Sequence, residues 1–230
     1  SDGETHRFAK GDPDFDGTVV NVGALGVVTS MTLQVQPTYL MRQEVFLDLP
    51  WDVAFDHFDE IMSCGDSVSL FTNYRDAVNE LWVKTRVADD DDWQPRAELF
   101  GSRAATTQVH PVTELDGTWC TEQLGVTGPW RLRMPHFQVE ALGDAGDEMQ
   151  TEYMLARADA PAAFRALKEQ VSELVRPYIF AAEVRSVAAD DLWLSSAYQR
   201  EPICLHYATK ADLAMPNEVI PVIEQVLAPY

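Results

Sequence analysis

Short stretches in which polar and apolar residues alternate, or apolar residues run together, predict β-strands along most of the chain. Successive side chains of a strand point to opposite faces, so alternation marks a strand with one buried face. The predicted strands span residues 31–35, 39–49, 67–72, 80–86, 148–157, 178–187 and 203–209. Apolar residues at steps of three and four predict helices over residues 51–62 and 160–175, and a last helix from Pro216.

The order of these elements indicates the fold class. Strands outnumber helices, and the helices lie between groups of strands. We therefore expect an α+β fold in which helices pack on one face of a broad antiparallel sheet. Residues 88–135 show poor periodicity and many turn-forming residues, so we expect mostly loops there.

The composition bounds the partners and the compartment. The chain has 230 residues, of which 46% are hydrophobic, enough for one sizeable core or for one domain and part of another. Its formal net charge of −20 argues against nucleic acid or an anionic membrane surface as a partner. No apolar run is long enough to span a bilayer, and no signal peptide is recognisable, so stable membrane insertion is not expected. Three scattered cysteines are typical of reduced thiols in a cytoplasmic protein.

No metal site is predicted. The histidines lack the i, i+4 spacing of a metal-binding helix, and the cysteines lack zinc-site spacing. The acidic run at residues 89–92 is expected to be a solvated loop, because consecutive residues do not converge on one ion.

Three residues on two predicted strands carry the candidate chemistry. Glu183 and Arg185 alternate, so they share one strand face, while His206 lies on the last strand and shares its face with Cys204. If these strands are neighbours, a carboxylate, a guanidinium and an imidazole converge on one surface. Such a surface can bind a polyhydroxylated molecule and manage a proton.

Structural roles remain as alternatives for the same residues. Glu183 and Arg185 could form a cross-strand ion pair on a solvated face. His206 could be a core histidine with a satisfied ring nitrogen. His110 and His136 are expected at loops or strand ends, because each adjoins a proline.

Several segments, weak singly but specific in their order and spacing, carry a family resemblance. They are residues 23–29, 67–72, 135–137, 146–153 and, most specifically, 183–195. Together they resemble the FAD-dependent alditol or xylitol oxidases, which are related to the aldonolactone oxidases among the vanillyl-alcohol-oxidase-type flavoproteins.

The resemblance implies two domains and an oxidase reaction. Residues 1–36 would be the C-terminal part of the FAD-binding domain, and residues 37–230 a substrate-binding cap truncated at its C-terminus. The parent protein would oxidise a primary hydroxyl of a sugar alcohol such as xylitol or sorbitol to the aldehyde, and O2 would become hydrogen peroxide.

The resemblance also implies roles for individual residues. Val28 would contact the adenine end of FAD, and Glu183, Arg185 and His206 would bind the polyol. Arg185 and His206 would also be catalytic, by stabilising alkoxide charge and by accepting or relaying the proton.

Two departures from the family pattern qualify these expectations. The pyrophosphate-binding loop and the histidine that carries FAD covalently are expected upstream of this chain, and a catalytic lysine downstream. We therefore expect a fragment that is inactive without the rest of the parent polypeptide. Ala208 stands where the family usually has a substrate-contacting threonine.

Two other functions stay open from the sequence alone. One is an aldonolactone oxidase of the gulono- or arabinono-1,4-lactone type. The other, from a different class, is a non-catalytic ligand-binding or interaction module on the same fold.

Overall fold

The computed structural model describes residues 3–89, 92–141 and 147–230. In this part of the chain, nine strands form one sheet. They are β1 (Leu40–Leu49), β2 (Ser67–Thr72), β3 (Val78–Arg86), β4 (Glu98–Leu99), β5 (Ser102–Ala104), β6 (Gly128–Pro129), β7 (Glu148–Ala156), β8 (Ile179–Ser186) and β9 (Pro202–Lys210). The α-helices are α1 (Phe15–Val19), α2 (Trp51–Asp56), α3 (Phe58–Met62), α4 (Ala160–Gln170), α5 (Ser172–Val175) and α6 (Ile220–Leu227).

The sheet is antiparallel throughout its registered pairs, with the order β4-β5-β1-β3-β2-β8-β9-β7 and with β6 on the end of β1. Strands β3, β2 and β8 therefore lie in the middle. The prediction of an α+β fold with a broad antiparallel sheet is confirmed.

One face of the sheet packs against the helices and forms the main core. Alternation along the strands directs Leu70, Val184 and Leu205 to this face, where the apolar stripe of α4 supplies Phe164 and Leu167. Each of these side chains is almost fully buried, and burying one contributes about 1.5–3 kcal/mol.

The opposite face is more polar, and residues 92–141 cover part of it. Val45, Phe71 and Trp82 point to this face, where Ala105 and Cys120 of the covering segment complete a second, smaller apolar cluster. The part of this face on β8, β9 and β7 keeps charged side chains, which form the candidate site described below.

Most predicted elements agree with the structure, with several local differences. The helix predicted over residues 51–62 is two helices, because the backbone at His57 departs from helical geometry (φ −116°, ψ 23°). The helix predicted over residues 160–175 is likewise divided into α4 and α5 at Val171 (φ −114°, ψ −23°). The described part of residues 88–135 is mainly irregular, as expected, but it includes the short strands β4, β5 and β6. The short helix α1 was not predicted.

The strand predicted over residues 31–35 is wrong. This segment belongs to no helix or strand, and its apolar side chains are exposed, with Val35 at 87%. Alternation creates a strand only where another strand supplies hydrogen-bond partners, and no described strand lies alongside it. The preceding segment contacts the rest of the chain where the backbone N–H of Trp193 donates to the carbonyl of Asp16 at 3.1 Å and the Trp193 ring lies against Gly17.

Two segments singled out in the sequence extend beyond the described residues. Asp90 and Asp91 of the acidic run, and Gly146 of one family-like segment, lie outside the described residues. Within the described ranges, every helix is too short or too polar to cross a membrane.

Candidate active site

The sheet register brings the three predicted site residues together. Strands β8 and β9 are neighbours, with Glu183 directly opposite His206 and Arg185 opposite Cys204. On the other side of β9, strand β7 places Glu152 opposite His206. Residues directly opposite each other share a face, so a carboxylate, a guanidinium and an imidazole lie side by side on the face away from the helices.

Glu183 is the buried anion of this cluster. Its Oε1 accepts hydrogen bonds from Ser69 Oγ at 2.8 Å and His136 Nε2 at 3.1 Å, and its Oε2 accepts from Arg185 Nη1 at 2.7 Å. Burial raises its pKa, but the His136 hydrogen bond, the neighbouring positive charge and the Ser69 hydrogen bond outweigh this and hold the pKa at about 2. Glu183 is therefore ionised throughout the physiological range.

Arg185 connects the buried carboxylate to the open surface. Its Nη2 donates to Glu152 Oε1 and contacts Cys204 Sγ at 3.6 Å, and 35% of its side chain is exposed. Burial lowers the pKa of Arg185, but Glu183, Cys204 and Glu152 raise it by more, so the pKa lies above its ordinary value. The guanidinium thus keeps its charge and still has N–H groups that can reach a ligand.

His206 lies beside this ion pair. Its Nδ1 is 3.3 Å from Glu152 Oε1, and 17% of its side chain is exposed. In the neutral ring, donation from Nδ1 to that carboxylate leaves Nε2 as the basic nitrogen. The histidine can therefore take a proton from a ligand hydroxyl at Nε2.

Lys84 and His136 also belong to the cluster, and sequence patterns did not assign them to it. Lys84 is 1% exposed, and its Nζ lies 3.1 Å from His136 Nδ1 and also donates to the carbonyl of Met134. Burial lowers the pKa of Lys84 to about 7, although the charge of Glu183 opposes this effect. Burial, with the nearby charges of Lys84 and Arg185, also lowers the pKa of His136 below its ordinary value.

A signal for Lys84 existed in the sequence, whereas the signal for His136 was weak. Lys84 alternates with Glu80 and Trp82 along a predicted strand, and a lysine on a face shared with tryptophan indicates burial against a partner. His136 lies in an unpatterned segment, and only the family-like residues 135–137 pointed to it. Its ring packs edge-to-face against the neighbouring Phe71 and Trp82 rings, each with its centroid 5.3 Å away.

The cluster is closed at one end and open at the other. Lys84 and Glu183 lie under the segment that covers the sheet, and His136 belongs to that segment, while Arg185 and Glu152 reach the solvent. The side of Arg185 and His206 is therefore the side that is open to a ligand. Among the described residues, no three His, Cys, Asp or Glu side chains are grouped as metal ligands.

The remaining predicted positions lie apart or on the rim. Val28 is 63% exposed in the unpaired N-terminal segment, and the described structure shows no hydrogen bond between this segment and the cluster. Ala208 is two residues from His206 on β9, on the same face, opposite Gln150. At this position the chain offers a methyl group where a hydroxyl would donate or accept a hydrogen bond.

The fold and the cluster define a class of protein: an α+β module whose open sheet face carries a cluster of charged side chains suited to a polar ligand. No protein-family model matches the sequence. The chain is, however, 37% identical over 227 residues to an alditol oxidase from a Streptomyces species. This similarity, over 98% of the chain, confirms the resemblance to the alditol oxidases. The matched region is 52% of that relative, so the chain spans about half of its length.

Proposed function

We propose that this chain is the substrate-binding part of an FAD-dependent sugar-alcohol oxidase. Residues 37–230 form the cap over the substrate, and residues 1–36 form the end of the FAD-binding domain. The observation that carries the proposal is the cluster of Glu183, Arg185 and His206 on the open face, where each side chain is partly or fully withdrawn from water. The similarity to an alditol oxidase supports the same reaction class.

The proposed reaction removes a hydride and a proton from a primary hydroxyl, so the alcohol becomes an aldehyde. When bound, the flavin supplies the hydride acceptor and passes the electrons to O2, which leaves as hydrogen peroxide. Xylitol and sorbitol are the proposed substrates. The protein's contribution is to bind, orient and polarise the polyol.

Each cluster residue has a role that follows from its bonding. The free N–H groups of Arg185 donate to the reacting oxygen and stabilise its developing negative charge, which is effective where water is excluded. Glu183 accepts a hydrogen bond from a neighbouring hydroxyl. His206 takes the hydroxyl proton at Nε2, with Glu152 orienting the ring from the other nitrogen.

The N-terminal segment suits a flavin contact. Residues 27–35 are exposed and belong to no helix or strand, so the backbone groups near Val28 are open to a ligand such as the adenine end of FAD. The apolar side chains of this segment would be covered by the rest of an FAD-binding domain. We propose that the covalent attachment site for FAD lies in that remainder.

An aldonolactone oxidase is the second candidate. Ala208 favours it, because a methyl group beside His206 suits a substrate with fewer hydroxyls at that point. The exposed Arg185 and the two carboxylates of the cluster favour the open-chain polyol, which has more hydroxyls to satisfy them.

The test is oxygen consumption by the complete protein that carries this chain, supplied in turn with xylitol, sorbitol and an aldonolactone, while its visible spectrum is recorded. A yellow protein that consumes oxygen fastest with a polyol supports the proposal. Faster turnover of the lactone would favour the second candidate. A colourless, inert protein would favour a non-catalytic binding module.

A further inference from the structure

We propose that Lys84 and His136 are positioning residues of this site, which hold the Glu183 carboxylate in one orientation for a substrate hydroxyl. The inference rests on the proposed function, which it deepens by assigning two residues that do not touch the substrate. It is carried by one continuous hydrogen-bonded path from a buried lysine to the substrate-facing carboxylate.

The path runs through the two nitrogens of one imidazole ring. Lys84 Nζ lies 3.1 Å from Nδ1 of His136, and Nε2 of the same ring lies 3.1 Å from Glu183 Oε1. An ammonium group can only donate, so Nδ1 must accept from Lys84. The ring proton is therefore on Nε2, from which it is donated to Glu183.

The rest of the path is fixed by packing. The His136 ring packs edge-to-face against the neighbouring Phe71 and Trp82 rings, and the carbonyl of Met134 anchors the lysine. With Lys84 only 1% exposed, water does not compete for these bonds. The imidazole can thus impose one direction on the carboxylate.

The consequence is a carboxylate with a single remaining acceptor position. Ionised carboxylates accept about four hydrogen bonds, two at each oxygen. Ser69 and His136 occupy both positions on Oε1, and Arg185 occupies one on Oε2. The remaining position lies on Oε2, the oxygen that also meets the substrate-facing guanidinium.

The charge of Lys84 adds a dependence on pH. The Lys84 ammonium group faces Glu183 on β8, and it also faces His136 and Cys120 on the covering segment. Arg185 lies on the far side of the Glu183 carboxylate. The low pKa of about 7 means that Lys84 loses its charge in the neutral range. The ionised Glu183 keeps the ring proton of His136 on Nε2 at every pH in this range, but above it the neutral amine donates more weakly to Nδ1, so the ring is held less firmly.

The first test uses Lys84→Met in the complete protein, compared with Lys168→Met. Lys168 donates to the carbonyl of Tyr74 on the helix-covered side of the sheet and is the matched control. We expect Lys84→Met to raise KM for the polyol by about 10- to 100-fold, the effect of losing a hydrogen bond to a charged group. We also expect the change of KM with pH near neutrality to vanish, while kcat changes less. Lys168→Met should keep the wild-type KM and its pH dependence.

The second test separates positioning from structure. His136→Gln keeps an amide N–H near the Nε2 position, so its KM should stay within about threefold of wild type, whereas His136→Leu should match Lys84→Met. Nitrogen-15 NMR of the complete protein just below pH 7 gives a readout that is independent of activity. It should show His136 protonated at Nε2 in both proteins, with a shifted Nδ1 signal in Lys84→Met, because that nitrogen loses its hydrogen bond.

The outcomes separate this role from the proposed function. A wild-type protein that oxidises no polyol refutes the function and the role together. An active wild type refutes the role alone if Lys84→Met keeps its KM and its Nδ1 signal, or if His136→Leu and His136→Gln behave alike. If Lys84→Met does not fold, the two His136 variants and the wild-type Nδ1 signal decide.

Discussion

Glu80 offers a direct test of how burial controls charge in this sheet. It lies on β3 with 3% exposure, and its Oε2 accepts a hydrogen bond from Trp82 Nε1 at 2.6 Å. Burial raises the pKa of Glu80 to about 7, although the Trp82 hydrogen bond lowers it. The perturbation is Glu80→Gln, which removes the titration and keeps an oxygen for Trp82.

The magnitude follows from the difference in pKa between the folded and unfolded states. One pKa unit corresponds to about 1.4 kcal/mol, so a rise from 4.5 to about 7 corresponds to roughly 3 kcal/mol. The folded protein keeps this proton where the unfolded chain has already lost it. The contribution of Glu80 therefore lowers the free energy of unfolding as pH rises from 4.5 to 7. Outside this window the contribution of Glu80 does not change with pH.

The assay is urea unfolding of the wild type and Glu80→Gln between pH 4.5 and pH 8, followed by circular dichroism. The free energy of unfolding of Glu80→Gln should rise relative to that of the wild type across this window, and the difference should be about 3 kcal/mol at pH 7 and above. Contributions from histidines cancel in the difference. Glu98→Gln, at an exposed position on β4, is the control and should differ by less than about 0.5 kcal/mol at every pH. A constant difference between Glu80→Gln and wild type would refute the reasoning.

Three further predictions address the site and the core. Arg185→Lys keeps the charge but loses the planar fork, so turnover by the complete protein should fall by about 100-fold or more, with an unchanged thermal midpoint; unchanged turnover would remove Arg185 from the mechanism. His206→Ala should shift the pH–rate profile and lower kcat by about 100-fold, because a proton acceptor is lost; an unshifted profile would leave His206 a structural role. Phe164→Ala, at a position 3% exposed, should lower the free energy of unfolding by about 3–5 kcal/mol in urea titrations, and a loss below 1 kcal/mol would contradict its place in the core.

The alternation of polar and apolar residues made it possible to predict the sheet and the part of the site formed by Glu183, Arg185 and His206. Glu183 and Arg185 lie on one face because alternation is a local property of a strand. That His206 joins them depends only on β8 and β9 being neighbours, and chain neighbours in antiparallel sheets often pair. The helix boundaries were less predictable, because the irregular backbone at His57 leaves no mark in the apolar spacing.

The remainder of the site depends on contacts between distant parts of the chain. Lys84 reaches Glu183 only because β2 lies between β3 and β8, and Ser69 lies on that intervening strand. His136 approaches from an irregular segment that no periodicity describes. The wrong strand at residues 31–35 has the same origin, since local alternation does not reveal whether a pairing partner exists.

The helix-covered face of the sheet also secures the geometry of the site. If β9 slipped by one residue against β8, His206 would turn toward the helices and Leu205 toward the solvent. Leu205 and Tyr207 oppose such a slip, because both are buried and the Tyr207 hydroxyl is bonded to the Tyr74 hydroxyl at 2.7 Å. The same core residues that stabilise the fold therefore keep Glu183 opposite His206. A substitution that loosens this face, such as Leu205→Ala, should weaken the site without touching a ligand.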